Sequence, residues 1–326
     1  MSASVLNIIL PLKTDIATPV ILDARGEEMP GQEIEERLHR IARGLKRLSR
    51  CHFSFPVVSD QQLEAALCSV HTDEYLNFLS SYSHNLGEGE LFVSPQYVEP
   101  GVEPDTPIVN GIYDVAREGT RAAVAAAMQT AEGAQFTYAL CRPPGHHAGP
   151  GWLGGYCYLN NAAAATVFLL TRMGRVSVID FDYHFGNGSA AILEGLENVQ
   201  YGSIHCSTEA TYPYQKTEPA NSRQIFIAFE QPPTEREFLD AVRRLVEESL
   251  KFGCVAIVVS VGYDIIAGDR HGTWSLPAEI FEEVGSILLR ANVPICLVQE
   301  GGYLLDRLGE CSYRLARGIL GGDDEQ

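Results

Sequence analysis

Short apolar runs rich in β-branched residues alternate along this chain with stretches of helical periodicity. That alternation constrains the fold more than any other feature. Residues 5–10 read as a first strand. Residues 32–48 read as a helix, because Ile34, Leu38, Ile41, Leu45 and Leu48 recur at three- or four-residue intervals. Another helix begins within 71–79, and the alanine-rich 120–130 is a third. Strands are then expected at 136–141, 176–181, 200–204, 224–229, 255–261 and 295–299. Helices are expected at 160–172, 188–196, 235–251, 277–291 and 304–320. Strands alternating with helices imply a mostly parallel sheet covered on both faces. In such open sheets a ligand site lies beyond the carboxyl ends of the strands.

The 326 residues would allow one large or two average domains. No Gly/Ser tract, proline-rich spacer or long charge run marks a linker, and 45% hydrophobic content supports a sizeable core. One α/β domain over 1–320 is expected, followed by a frayed acidic tail at 321–326. The formal net charge of −18 is poorly suited to holding a phosphate backbone, so no nucleic-acid partner is expected. The same field favours cationic substrates, although a solvated acidic surface is the commoner cause. Eight scattered cysteines form no CxxC pair and fit free thiols in a reducing compartment. No signal peptide is evident, and the longest apolar runs are too short to cross a bilayer. A cytoplasmic protein without a membrane partner follows as the expectation, and the pattern is compatible with an oligomer.

The polar residues cluster where that fold predicts a site. The strand at 136–141 leads through Arg142-Pro143-Pro144-Gly145 into His146 and His147. The strand at 176–181 leads into Asp182-Tyr183-His184, that at 255–261 into Gly262-Tyr263-Asp264, and that at 295–299 into Glu300-Gly301-Gly302-Tyr303. Asp180, Asp182 and His184 alternate, and alternate side chains of an extended segment share a face. Asp182 and His184 could grip one cation, with Asp264 as a third ligand. Alternatively they form a hydrogen-bonded pair at a strand end. Two carboxylates and one imidazole with a position left open describe a catalytic metal site. Zinc is the default, and the oxygen-rich set also suits iron(II), cobalt or manganese.

A water activated by such a cation needs a base, and a leaving amine needs an acid. His146 and His147 fit those tasks, since imidazole titrates near neutral pH. Asp180 could orient one imidazole and Asn187 the other. A neutral amide supplies no charge, so the two are expected to titrate differently. The Tyr303 hydroxyl, after a glycine turn, could donate to an oxyanion.

These residues resemble the histone deacetylase superfamily, which shares the arginase-like α/β fold. The matching pieces are RPPGHHA (142–148), GGYCYLNNAA (154–163), IDFDYHFGNG (179–188), SVGYDIIAGD (260–269), EGGY (300–303) and the weaker HTDEYLNFL (71–79). The similarity is greatest to class II-type and bacterial deacetylase-like amidohydrolases, including acetylpolyamine amidohydrolases. The resemblance implies zinc held by Asp182, His184 and Asp264. It implies proton transfer by His146 and His147, with Asp180 behind the first, and carbonyl polarisation by Tyr303. Gly155 and Tyr156 are implied to line a narrow acyl-lysine channel. Asp114 is implied as a rim aspartate gripping substrate, and His271 as the gatekeeper position. A structural potassium ion is implied around Asp180, Asp182, His184, Ser203 and Ile204.

The chain departs from the family pattern in places. Phe185 stands where many members carry a second histidine. Asn187 matches class II-type and polyamine enzymes rather than the class I-type aspartate. His271 cannot supply the fixed negative charge of a polyamine gatekeeper glutamate. The segment between Leu91 and Tyr113 reads as shorter than the loop that narrows bacterial acetylpolyamine enzymes. The expected function is a metal-dependent amidohydrolase removing a short acyl group from a lysine side chain or a small amine. An acetylpolyamine amidohydrolase, an arginase-like ureohydrolase and a non-catalytic acyl-lysine binding protein are the alternatives.

Overall fold

The computed structural model describes residues 4–16, 20–22, 28–102 and 104–322. The acidic end of the expected frayed tail, 323–326, lies outside the described residues. From the N-terminus the elements run β1 (Leu6–Ile9), β2 (Val20–Leu22), β3 (Glu28–Pro30), α1 (Glu36–Leu45), β4 (Cys51–Ser54), α2 (Asp60–Val70) and α3 (Asp73–Asn85). Next come β5 (Leu91–Phe92), β6 (Ile108–Val109), α4 (Ile112–Ala131), β7 (Phe136–Ala139), α5 (Asn161–Met173), β8 (Val176–Asp180), α6 (Asn187–Leu193) and β9 (Val199–Cys206). The chain closes with β10 (Gln224–Phe229), α7 (Glu235–Phe252), β11 (Ala256–Val261), α8 (Ile280–Arg290), β12 (Ile295–Gln299) and α9 (Leu305–Ile319).

Eight strands form one sheet in the order β10-β9-β8-β11-β12-β7-β1-β4. Every neighbouring pair in it is parallel, as the βα alternation predicts. Side chains alternate between two cores. Ile257, Val259 and Val261 of β11 pack toward α1, α7, α8 and α9, whereas Ala256 and Val258 pack toward α2, α4 and α5. Both faces are covered, so the strands read as continuous apolar runs rather than alternating ones. Helix boundaries follow capping chemistry. Thr234 and Glu237 form a capping box at the start of α7, and Gly253 ends it at φ 77°. No helix among the described residues is long and apolar enough to cross a membrane.

The sequence expectations depart from the structure mainly before residue 120. The helix expected at 32–48 shortens to α1, because Glu33 is drawn into ion pairs with Arg37 and Arg142. α4 begins at Ile112, eight residues before the alanine-rich stretch. Its first turns carry Arg117 and Glu118, bound to Glu64 and Arg121, so their polarity masks the helical period. His71 lies outside α3, whose N-cap is Thr72. Instead it ties two loops together, its Nδ1 donating to the Gly149 carbonyl at 2.8 Å and its Nε2 accepting from Asn160 N at 2.9 Å. Burial holds it neutral, near pKa 4.

Candidate active site

The four strands whose ends carry polar clusters, β8, β11, β12 and β7, are consecutive in the sheet. Their carboxyl ends therefore open on one place, a cavity of about 940 Å³ lined among others by His146, His147, Asp182, His184 and Tyr303.

Asp182, His184 and Asp264 bring one ligand atom each within 4.8 Å of one another. His184 Nδ1 lies 3.3 Å from both Asp182 Oδ1 and Asp264 Oδ2. The backbone orients the carboxylates: Gly301 N donates to Asp182 Oδ2 at 2.8 Å, and Tyr183 N donates to Asp264 Oδ1 at 3.0 Å. Asp264 Oδ2 is buried without a hydrogen bond. A buried carboxylate oxygen left bare is costly unless a cation meets it. Burial, then repulsion from Asp182, pushes the Asp264 carboxyl up to about 7. Gly301 keeps the centre clear, since a Cβ there would stand 2.5 Å from Asp182 Oδ2 and 2.6 Å from Asp264 Oδ2. Donor set, orphaned oxygen and cleared space fit a divalent cation with an open coordination position. Among the described residues a second group of ligand types, His146, Cys157 and Glu300, also converges. Burial raises the Cys157 thiol far above its usual range, and Glu300 is already engaged by backbone amides, so this group suits packing.

The two imidazoles lie 4.0 Å apart between ring centres but have different partners. His146 Nδ1 meets Asp180 Oδ2 at 3.1 Å, and His147 Nδ1 meets Asn187 Oδ1 at 2.6 Å. Burial disfavours a charge on His146, yet Asp182 and Asp180 outweigh it and hold it up at about 10. Burial lowers His147 well below its ordinary range, and the nearby His146 and His184 add to the shift. The asymmetry expected from an aspartate behind one ring and an amide behind the other is thus present in the electrostatics.

Tyr303 enters from the β12 end. Gly302, at φ 113°, lets the chain turn there. Asp269 Oδ2 accepts from the amides of Tyr303 (2.6 Å) and Leu304 (2.9 Å). The buried Arg37 guanidinium stacks 4.6 Å from the ring centre and donates to the carbonyls of Gly302 (2.7 Å) and Glu300 (2.6 Å). Burial keeps the phenol protonated, hence a donor.

Gly155, Tyr156 and His271 line the cavity. Tyr156 holds φ 66°, a rare conformation for an aromatic residue. Burial lowers His271 to about 4. A Cβ on Gly155 would stand 2.4 Å from His147 Cδ2, and Gly155 itself lies at φ 53°. Gly155→Ala is therefore expected to displace His147 and to lower kcat on the order of 10²-fold. It should also cost about 1–2 kcal/mol of stability. Steady-state kinetics with thermal denaturation would check both.

One expected site residue is corrected. Asp114 does not line the cavity. It sits in the first turn of α4, half-buried, with His84 Nε2 at 2.9 Å and Lys13 at 3.4 Å. Asp105 stands at the cavity instead and accepts from Gly155 N at 3.1 Å. Asp105 lies in the loop between β5 and β6 and Asp114 at the start of α4, nine residues apart, and no local pattern marks the first as the one that faces the cavity. Sequence reasoning also gave no role to Glu300, although it stands in EGGY. Its Oε2 accepts from Gly145 N (2.6 Å) and His146 N (3.1 Å), locking the histidine loop onto β12. Ser203 lies opposite Asp180 in the β8–β9 register, with Ile204 next along β9. The Ser203 hydroxyl bonds His205 Nδ1 at 2.9 Å. Phe185 packs against His205 and Phe226, with ring centres 4.8 and 4.6 Å away.

Known proteins are similar to this chain in sequence and fold. The histone deacetylase domain matches residues 32–319. An acetylpolyamine amidohydrolase of Burkholderia pseudomallei is 29% identical over 312 residues, covering 87% of this chain and 90% of that protein. Acetylpolyamine amidohydrolase 1 of Pseudomonas aeruginosa is 31% identical over 231 residues, covering 67% of this chain and 66% of that protein. The crystal structure of acetylpolyamine aminohydrolase from B. pseudomallei superposes with a TM-score of 0.84 at 26% identity, covering 97% of this chain and 98% of that one. A match that runs through the whole site-bearing part of the sheet, to relatives named for amide hydrolysis, makes the chain a hydrolytic deacetylase that belongs to the histone deacetylase family.

Proposed function

We propose that the chain uses zinc, held by Asp182, His184 and Asp264, to remove an acetyl or other short acyl group from a primary-amine nitrogen. One observation carries the reading: His146, His147 and Tyr303 line the same cavity as Asp182 and His184, whose companion Asp264 has Oδ2 buried without a hydrogen bond. The cation, when bound, supplies Lewis acidity toward water and a carbonyl oxygen.

The chain's own groups divide the remaining work. His147, held neutral and donating through Nδ1 to Asn187, keeps Nε2 free to take the proton of the attacking water. His146, held cationic over Asp180, protonates the departing amine nitrogen. Tyr303 donates its hydroxyl proton toward the amide oxygen as negative charge develops there. Gly155, Tyr156 and His271 wall the channel, and Asp105 offers a carboxylate to an amide or ammonium group. Asp180, Asp182, His184, Ser203 and Ile204 are proposed to hold a structural potassium ion, a role resting on the family resemblance. Iron(II) or cobalt in place of zinc would keep the same ligands. The scattered cysteines, with no CxxC pair among them, support a reducing, cytoplasmic compartment.

An acetylated small amine is the favoured substrate class. The acetylpolyamine amidohydrolases match along most of this chain, and the net charge of −18 favours cationic ligands. Acetyl-lysine in a peptide is the second reading, favoured by the family domain. Zinc-loaded protein assayed on acetylputrescine and on a fluorogenic acetyl-lysine peptide separates the two. Turnover of neither would remove the proposal.

The histidine division makes its own prediction. His147→Ala should lower kcat on the order of 10²–10⁴-fold, the worth of a general base. His146→Ala should lose activity throughout the range in which the wild-type ring keeps its proton, and the gap to the wild type should shrink only as pH approaches about 10. Similar losses with similar pH–rate profiles would refute the division.

A further inference from the structure

The hydrogen-bond chain behind His147 does not end at Asn187. Asn187 Oδ1 faces His147 Nδ1 at 2.6 Å, and Asn187 Nδ2 donates to Glu99 Oε2, also at 2.6 Å. Glu99 is half-buried in the loop between β5 and β6, where its carbonyl accepts from Val102 N at 3.0 Å.

A side-chain amide accepts at one end and donates at the other, so its neighbours decide which way it points. An ionised carboxylate only accepts. Glu99 therefore admits one orientation, with the NH₂ toward itself and the oxygen toward the imidazole. The reversed amide would set two acceptor oxygens in contact. An acceptor at His147 Nδ1 in turn requires a proton on Nδ1, which leaves the lone pair of the neutral ring on Nε2.

We propose that Glu99 is a positioning residue that fixes the tautomer of His147 through the Asn187 amide. The contrast with His146 shows what the interposed amide achieves. Asp180 touches His146 directly and delivers orientation and charge together. Glu99 delivers orientation to His147 while its charge stays one side chain away, so the ring is aligned without being held protonated. The inference rests on His147 acting as the base, but the tautomer is measurable without any turnover.

The test uses zinc-loaded full-length protein with ¹⁵N-labelled histidine, the His147 ring signals being assigned by their loss in His147→Ala. The wild type should show Nδ1 protonated and Nε2 bare. In Glu99→Gln the new amide can donate or accept, so Asn187 is free to turn. The His147 nitrogens should then report mixed tautomers. In the same variant kcat should fall on the order of 10–100-fold with KM little changed, the usual cost of losing an orienting partner. Asn187→Asp alone sets two carboxylates against each other. Glu99→Gln/Asn187→Asp restores a donor facing an acceptor and should recover both the tautomer and turnover relative to either single variant. An unchanged ring pattern in Glu99→Gln and Glu99→Ala overturns the proposal, whether turnover is kept or is lost along with the fold. Should the wild type hydrolyse no acyl amine, the functional reading fails, while the ring pattern still decides the role of Glu99.

Discussion

Asp264→Asn is expected to abolish stoichiometric zinc binding and, with it, hydrolysis. The asparagine oxygen can still accept from Tyr183 N, as Asp264 Oδ1 does at 3.0 Å. What is lost is the anionic Oδ2, buried without a hydrogen bond and 3.3 Å from His184 Nδ1. A catalytic cation contributes several kcal/mol to charge stabilisation, so kcat/KM should fall on the order of 10³-fold or more. The fold should survive. In the metal-free protein, Asp264 is raised to about 7 by burial and by Asp182, so it is a source of strain that the amide removes. Its carboxyl therefore binds more protons folded than unfolded between the ordinary value of 3.8 and about 7. Stability of the metal-free protein consequently drops as pH rises through that window. The variant should lack this component, giving a flatter dependence of Tm on pH there, and zinc should no longer raise its Tm. Zinc content after dialysis, kinetics and metal-free melting curves test these points together. Full zinc occupancy with retained turnover would exclude Asp264 as a ligand.

Tyr303→Phe should lower kcat on the order of 10²–10³-fold, the usual worth of one oxyanion donor, with little change in KM. The phenyl ring can keep its place 4.6 Å from the Arg37 guanidinium, and Asp269 still receives the backbone amides of residues 303 and 304. Zinc content and Tm should therefore match the wild type, which separates this variant from Asp264→Asn. A normal rate would discard the oxyanion role. A normal rate per bound zinc with lowered metal content would reassign Tyr303 to metal retention.

The parts of this site legible in advance share one property: each is encoded within a few residues. Asp182 and His184 alternate on one extended segment, and His146 and His147 follow a proline-stiffened strand end. The parts that stayed hidden act between segments far apart in the chain. Arg37 reads as a polar position on an amphipathic helix, yet it is buried against residues some 263 to 265 positions later. Glu99 shows no local pattern, and only the fold brings it to Asn187, 88 residues on. No local pattern marks Asp105 over Asp114, and only the path of the loop before α4 turns the first toward Gly155 and the second toward His84.

By itself, the sequence determined the repeating strand–helix order and the placing of an ionisable cluster after each of four strands. These are consequences of periodicity and chain proximity, which a linear string preserves. Tertiary structure alone decided that β8, β11, β12 and β7 lie side by side, so that four clusters separated by up to some 155 residues become one site. Strand order is set by which apolar faces the helices cover and by contacts closed across long loops. Those energies belong to pairs of distant segments, and no local pattern records them.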